Sequence, residues 1–182
     1  MNSIKKEQKY MNNIKYHGIA SENSCHHWKP FDVTGCDLLD LGCGRHCVNI
    51  LEETSPIWLG RNANSVLGVD GSQSEINYFN ETNPDTTKFS FICSFVDSSD
   101  KVKELLKGKT AVKCDIEEHE VHFYPLTKED MKDVKTIAME YHTQEIRTNM
   151  IEKFIEWGFE IHTEAKFEFV NAPQMGVLFG SK

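Results

Sequence analysis

Four acidic residues each close an apolar run: Asp40 after Leu38-Leu39, Asp70 after Val66-Leu67-Gly68-Val69, Asp115 after Val112-Lys113-Cys114, and Glu140 after Ile137-Ala138-Met139. Carboxylates carried to one rim of a parallel sheet can accept hydrogen bonds from ligand hydroxyls or take a proton from a reacting group. Ligands of open α/β sheets bind beyond the carboxyl ends of the strands. Asp40 runs into Gly42, Cys43 and Gly44, where paired glycines let the backbone turn without a Cβ clash and bring main-chain N–H groups toward a ligand. Asp70, followed by Gly71 and Ser72, lies at the ~20–30-residue spacing of a ribose-binding carboxylate in a βαβ unit. Near the other two acids stand Glu117 and His142, candidates for proton transfer because histidine titrates near neutrality and adjacent carboxylates raise its pKa. His119 is a further candidate.

The elements that must position these residues follow a β-α-β alternation. Strands are expected at 37–41, 65–70, 89–95, 110–116 and 134–141, and two closing strands, antiparallel at one edge, at 159–169 and 175–179. Helices fall between them. His46 to Thr54 is helix-permissive up to the Ser55-Pro56 stop. Ser72 can cap a helix over 73–80, and 100–107 reads as a short surface helix closed by Gly108. Thr143 can cap a helix whose Ile146, Met150, Phe154 and Trp157 share one face, a pattern of core packing, with Gly158 ending it.

Asp-Leu-Gly-x-Gly followed by Val-Asp-Gly-Ser resembles the S-adenosylmethionine-dependent methyltransferases more than NAD enzymes. Within that class, Val112-Lys113-Cys114-Asp115-Ile116-Glu117-Glu118-His119-Glu120 resembles the Lys-x-Asp-x-Glu-Gly-x-Glu segment of FkbM-type methyltransferases, and Met139-Glu140-Tyr141-His142 resembles their Glu-x-His strand end. The resemblance spans about 37–180. It implies a Rossmann-like α/β class I methyltransferase core, a mostly parallel seven-stranded sheet with an antiparallel edge strand and helices on both faces, over 37–182 behind an N-terminal arm or flap at 1–36. It also implies S-adenosyl-L-methionine as cofactor, held by Asp40, Gly42, Cys43, Gly44, Asp70, Gly71, Ser72, Cys93, Ser94 and Asp115. Asp70 would take the ribose, the glycine turn the methionine end, and Asp40 would hold the loop. Asp115, Glu117, Glu140 and His142 would serve catalysis, most naturally O-methylation of a sugar or other hydroxylated small molecule. Two positions depart from the pattern: His46 and Glu118 each stand where the family has glycine.

A net charge of −8, from 28 acidic and 20 basic residues, sets the chain against phosphate backbones and anionic membranes, so nucleic acid is an unlikely substrate and a small-molecule or carbohydrate acceptor fits better. The length of 182 residues suits one domain. With no membrane span or secretory signal in the pattern, a cytoplasmic location with reduced thiols is expected. Cys25, His26, His27, Cys36, Cys43, His46 and Cys47 invite zinc, but the paired knuckle spacing is missing, so no metal ligands are assigned. Asp115, Glu117 and Glu140 offer oxygen ligands, and a divalent metal stays open. Oligomeric state is open as well. Two other readings share the residues: an NAD-dependent oxidoreductase or epimerase, weakened by the missing third glycine, and a catalytically silent cofactor-binding interaction protein.

Overall fold

A computed structural model describes residues 15–20, 28, 30–44, 56–167 and 175–182. Its strands are β1 (Lys15–Ala20), β2 (Asp37–Leu41), β3 (Ser65–Asp70), β4 (Phe89–Cys93), β5 (Ala111–Cys114), β6 (Thr136–Tyr141), β7 (Glu160–Phe167) and β8 (Gly176–Ser181). Its helices are α1 (Pro56–Leu59), α2 (Gln73–Thr82), α3 (Ser99–Leu106) and α4 (Gln144–Trp157). The strands form one sheet in the order β1-β7-β8-β6-β5-β2-β3-β4. Strands β2 to β6 are parallel to their neighbours among themselves, whereas β8 runs antiparallel to both β6 and β7. The seven strands after residue 37 make the expected mixed Rossmann-like sheet. An eighth, β1, adds to it in parallel alongside β7.

That strand changes the reading of 1–36 as an N-terminal arm or flap. Lys15–Ala20 extends the sheet instead, and Trp28, Phe31, Val33 and Cys36 are buried in its core. Edge pairing is invisible in a short stretch such as Lys-Tyr-His-Gly-Ile-Ala, because it is made by backbone groups that every residue carries. The helix expected at 46–54, the residues Cys25, His26, His27, His46 and Cys47 that invited zinc, and the end of the strand expected at 159–169 lie outside the described residues.

Strand alternation sends side chains to two cores. Leu38, Val66, Ala111, Ala138 and Phe179 meet Trp28, Leu59, Ile76 and Phe79, so α1 and α2 cover one face. Leu39, Leu41, Val112, Ile137, Met139 and Leu178 meet residues of α3 and α4 on the other. Ile146, Met150, Phe154 and Trp157 are all buried there. Thr143 caps α4 by accepting from the Ile146 N–H at 3.1 Å, and Gly158 ends it in the left-handed region at φ 89°. Pro56 opens α1, a use proline's fixed φ permits in a first turn.

A buried triad fastens this half. Arg147 of α4 makes a two-pronged contact with Glu164 of β7, at 2.6 and 3.1 Å, and the Tyr141 hydroxyl donates to the same carboxylate at 2.6 Å. Charge-assisted bonds of this kind are short and directional. They hold Tyr141 at the end of β6, between Glu140 and His142.

Candidate active site

The strand order reverses beside β2, whose neighbours β3 and β5 lead to opposite halves of the sheet. A crevice therefore opens beyond the ends of these strands. It is a hollow of about 450 Å³ whose walls include Gly42, Asp70, Ser94, Phe95, Asp115 and Glu117. Gly42 has φ 70°, and a Cβ there would stand 1.6 Å from the Asp115 carbonyl oxygen. Only glycine lets the turn after β2 pass so close over the end of β5.

The expectation of free N–H groups on this turn is corrected by the structure. Gly42 and Cys43 both donate to the Val69 carbonyl, at 2.9 and 3.2 Å, and Gly44 donates to Asp70 Oδ2 at 2.9 Å. The turn folds back on β3, which takes up these donors internally. Asp70 also accepts from the Ser72 N–H through Oδ1 at 2.7 Å. One carboxylate thus ties the glycine turn to the start of α2, with lone pairs left for a ligand in the hollow. Gly71 leaves room for the ring of Phe95, which lies across it and is 70% exposed.

Asp40 is the second correction, because it does not share this hollow. It is fully buried and faces Lys113, its cross-strand neighbour in register, with Nζ 3.3 Å from Oδ1. Lys113 donates to the Gly42 carbonyl at 2.6 Å, lies 3.8 Å from Asp115 Oδ2 and stands 5.1 Å from the centre of the Trp28 ring. Burial works against its charge, yet Asp40 and Asp115 outweigh it and hold the ammonium above its ordinary pKa. Asp40 therefore steadies the loop through Lys113, without touching the space a ligand would fill.

Cys43 points into the apolar core, where burial pushes its thiol well up, and it cannot reach the hollow with its side chain. Cys93 is exposed and its Sγ lies 3.6 Å from the Gly71 carbonyl, beside the hollow rather than in its wall, whereas Ser94 is in the wall. Cys36 and Cys114 are buried as expected of small apolar groups.

The catalytic candidates do come together. His142 is an imidazole with only 7% of its side chain exposed, ringed by carboxylates: Nε2 lies 3.3 Å from Glu117, 3.7 Å from Glu140 and 4.0 Å from Asp115, while Nδ1 lies 3.7 Å from Glu120. Neither ring nitrogen has a hydrogen bond within normal reach. Burial opposes its charge, but Glu120, Glu117 and Asp115 overcome that and raise its pKa. Burial and the Asp115 carboxyl beside it likewise push Glu140 well above the usual carboxylate range, as expected when neighbouring acids share a proton. Glu117 alone of the group is open to solvent, with 79% of its side chain exposed at the mouth of the hollow. His119 also lines the hollow, with Nδ1 3.2 Å from the Val96 carbonyl.

Two residues with evident roles were not singled out from the sequence. Lys113 is the buried cation beneath the glycine turn, and a lysine among Val112 and Cys114 in an apolar strand was its signal. Glu120, fully buried, accepts from the Ile116 N–H at 2.9 Å and backs the imidazole, and its place in the Asp-x-Glu-x-x-Glu spacing was its signal. The loop joining them carries Glu117 and Glu118 at φ 54° and 73°. Glu118, which stands where the FkbM-type segment that 112–120 resembles has glycine, occupies a left-handed backbone that favours glycine.

No family model matches the chain, and no curated protein matches it in sequence. Solved structures match its fold. Aeropyrum pernix fibrillarin, with natively bound S-adenosyl-L-methionine, is similar at a TM-score of 0.56 and 12% identity over 81% of this chain and 66% of that one. A Streptococcus agalactiae protein of the NADB-Rossmann superfamily is similar at 0.58 and 14%, over 91% and 69%. Pyrococcus abyssi tRNA (uracil-54, C5)-methyltransferase, in complex with S-adenosyl-L-homocysteine, is similar at 0.50 and 12%, over 99% and 38%. The chain spans just under two thirds of the fibrillarin's length. Among the described residues no helix is long and apolar enough to cross a membrane. The chain has the Rossmann-like fold found in S-adenosylmethionine-dependent methyltransferases.

Proposed function

We propose that the chain is an S-adenosylmethionine-dependent methyltransferase acting on the oxygen of a sugar or other hydroxylated small molecule. The observation that carries this reading is the hollow itself: Gly42, Asp70, Asp115 and Glu117 line it, and His142 lies next to Glu117 and Asp115, with Glu140 beside it. Its volume of about 450 Å³ lies in the range of small-molecule and cofactor sites. In this reading Asp70 accepts from the ribose hydroxyls, the exposed ring of Phe95 gives an apolar surface to the nucleoside, and the methyl group faces the acid cluster.

The transfer is an in-line displacement. The acceptor oxygen forms the new O–CH3 bond while the S–CH3 bond breaks, its electron pair passing to sulfur and leaving a neutral thioether. The acceptor's proton goes to Glu117 at the mouth of the hollow, whose Oε2 stands 3.3 Å from His142 Nε2. Alignment and exclusion of water supply much of the acceleration.

The resemblance of 112–120 and 139–142 to FkbM-type segments supports the oxygen acceptor, and the net charge of −8 supports an uncharged acceptor over nucleic acid. The tRNA methyltransferase among the fold neighbours keeps an RNA acceptor as the second reading. Cys36, Cys43, Cys93 and Cys114 are free thiols, which supports placing the enzyme in the cytoplasm.

Isothermal calorimetry with S-adenosylhomocysteine tests the cofactor. Binding at one site, lost in Asp70→Ala but kept in the surface variant Lys132→Ala, is the expected result. Thermal-shift assays with S-adenosylmethionine, S-adenosylhomocysteine and NAD separate the readings, since a ligand of the native state raises the midpoint. A shift with NAD alone would move the case to an oxidoreductase, and silence from all three would end it.

A further inference from the structure

Charge is unbalanced around His142. Asp115, Glu117, Glu120 and Glu140 surround it, and among the described residues Lys113 faces Asp40 and the Oδ2 side of Asp115. Buried carboxylates gathered in this way need protons or a cation among them. One atom each from Asp115, Glu140 and His142 lies within 4.8 Å of the other two. Donors about 2.1 Å from an octahedral ion sit about 3.0 Å apart when adjacent and about 4.2 Å apart when opposite. The observed separations of 3.7 and 4.0 Å from Nε2 need only small side-chain movements to reach such an arrangement.

A second, independent observation points the same way. Both ring nitrogens of His142 are buried without a hydrogen bond, with Nε2 directed at the acid pair, and Glu120 Oε2 is likewise buried without a partner. A histidine paired with a carboxylate on one nitrogen and offering the other to a metal is a recurrent arrangement, in which the outer carboxylate sets the tautomer and raises the ligand's basicity. Glu120 is in that outer position.

We propose that Asp115, Glu140 and His142 bind a divalent cation of the manganese or iron(II) kind, with Glu120 orienting the imidazole from behind. Two hard oxygen donors and a single imidazole, with no cysteine among the three ligands, suit these ions better than zinc, and the imidazole disfavours magnesium. The binding site stands independently of the methyltransferase reading. Its role in that reaction rests on it: the ion, next to the hollow, would draw in the acceptor oxygen and favour its alkoxide. With His142 ligated, Glu117 is left to receive the proton.

The test is a titration of manganese(II) into the full chain without any cofactor, following the free ion by electron paramagnetic resonance. One bound ion per chain, with nitrogen modulation from an imidazole in the spin-echo envelope, is expected. His142→Gln should remove the nitrogen modulation, Glu140→Gln should weaken binding at least tenfold, and Glu120→Gln should weaken it by about 10- to 100-fold while keeping one site. A protonated imidazole serving as the site's own cation would leave the manganese free up to millimolar concentration, and that result overturns the proposal. Bound manganese without nitrogen coupling in the unaltered protein overturns it equally, whether or not the variants fold. Because no cofactor is present, failure of S-adenosylhomocysteine to bind would not change the outcome.

Discussion

Replacing Gly42 by alanine tests how the glycine turn seats the site. Two effects add. Holding an alanine at φ 70° costs about 1–2 kcal/mol. The new Cβ would also stand 1.6 Å from the carbonyl oxygen of Asp115, a backbone atom that no rotamer change can move. Relief requires lifting the turn from the end of β5, a form of overpacking that costs about 1–3 kcal/mol. The total of about 2–5 kcal/mol corresponds to a fall in melting temperature of about 4–20 °C for a domain of this size. Gly108 provides the control. Its φ of 72° is nearly the same, but a Cβ there meets nothing within 4 Å, so Gly108→Ala carries the dihedral cost alone. Urea unfolding of both variants, with calorimetry against S-adenosylhomocysteine, separates the effects. Gly42→Ala should be the less stable by about 1–3 kcal/mol and should bind at least tenfold more weakly. Equal stabilities within about half a kcal/mol would show that the close approach to β5 does not govern the turn.

Other perturbations probe the supports. Lys113→Met leaves Asp40 buried without its cation and should cost about 3–5 kcal/mol in urea unfolding, with at least half restored by adding Asp40→Asn; no recovery in the double variant would refute the pairing. Glu118→Gly releases a left-handed side chain and should leave stability unchanged or raise it by up to about 1 kcal/mol, whereas a loss beyond that would contradict the backbone geometry. Alkylation followed by mass spectrometry should label Cys93 in the native protein and spare Cys43 and Cys114, whose burial raises their pKa; labelling of Cys43 at the rate of Cys93 would contradict its placement. The backbone N–H and hydroxyl of Thr127 hold the Asp130 carboxyl below its usual pKa, so its contribution to stability is present above the unfolded carboxylate value and lost as pH falls through the lowered one. Thr127→Ala should move the Asp130 titration, followed by NMR, part of the way back up, and an unmoved titration would rule out the hydroxyl.

Parts of the molecule that depend on local pattern were legible in the sequence. Apolar runs ending in Asp40, Asp70, Asp115 and Glu140 marked four strands, and the Ile146 to Trp157 stripe marked the buried face of α4. The crevice followed from the β-α-β order alone. What failed depends on pairing across the chain. An apolar run ending in an acid does not tell which side of the pleat that acid takes, so Asp40 reads like Asp70 although one meets Lys113 and the other meets the hollow. N–H groups on a glycine turn look available until the turn's partner, Val69, is known. The strand at 15–20 has no apolar period to announce it. Glu118 is a further case: its sequence position gave no hint of the left-handed backbone it adopts.

The placement of β8 has a consequence for how the chain is made. It follows every other strand among the described residues yet pairs on both sides, with β6 and with β7. While the polypeptide is emerging, the flanks of those two strands have nothing to pair with, and exposed strand flanks invite contact between copies. Assembly of this half of the sheet therefore awaits β8, and a cell that slows translation before Gly176 would lengthen the interval in which nascent chains can stick to one another.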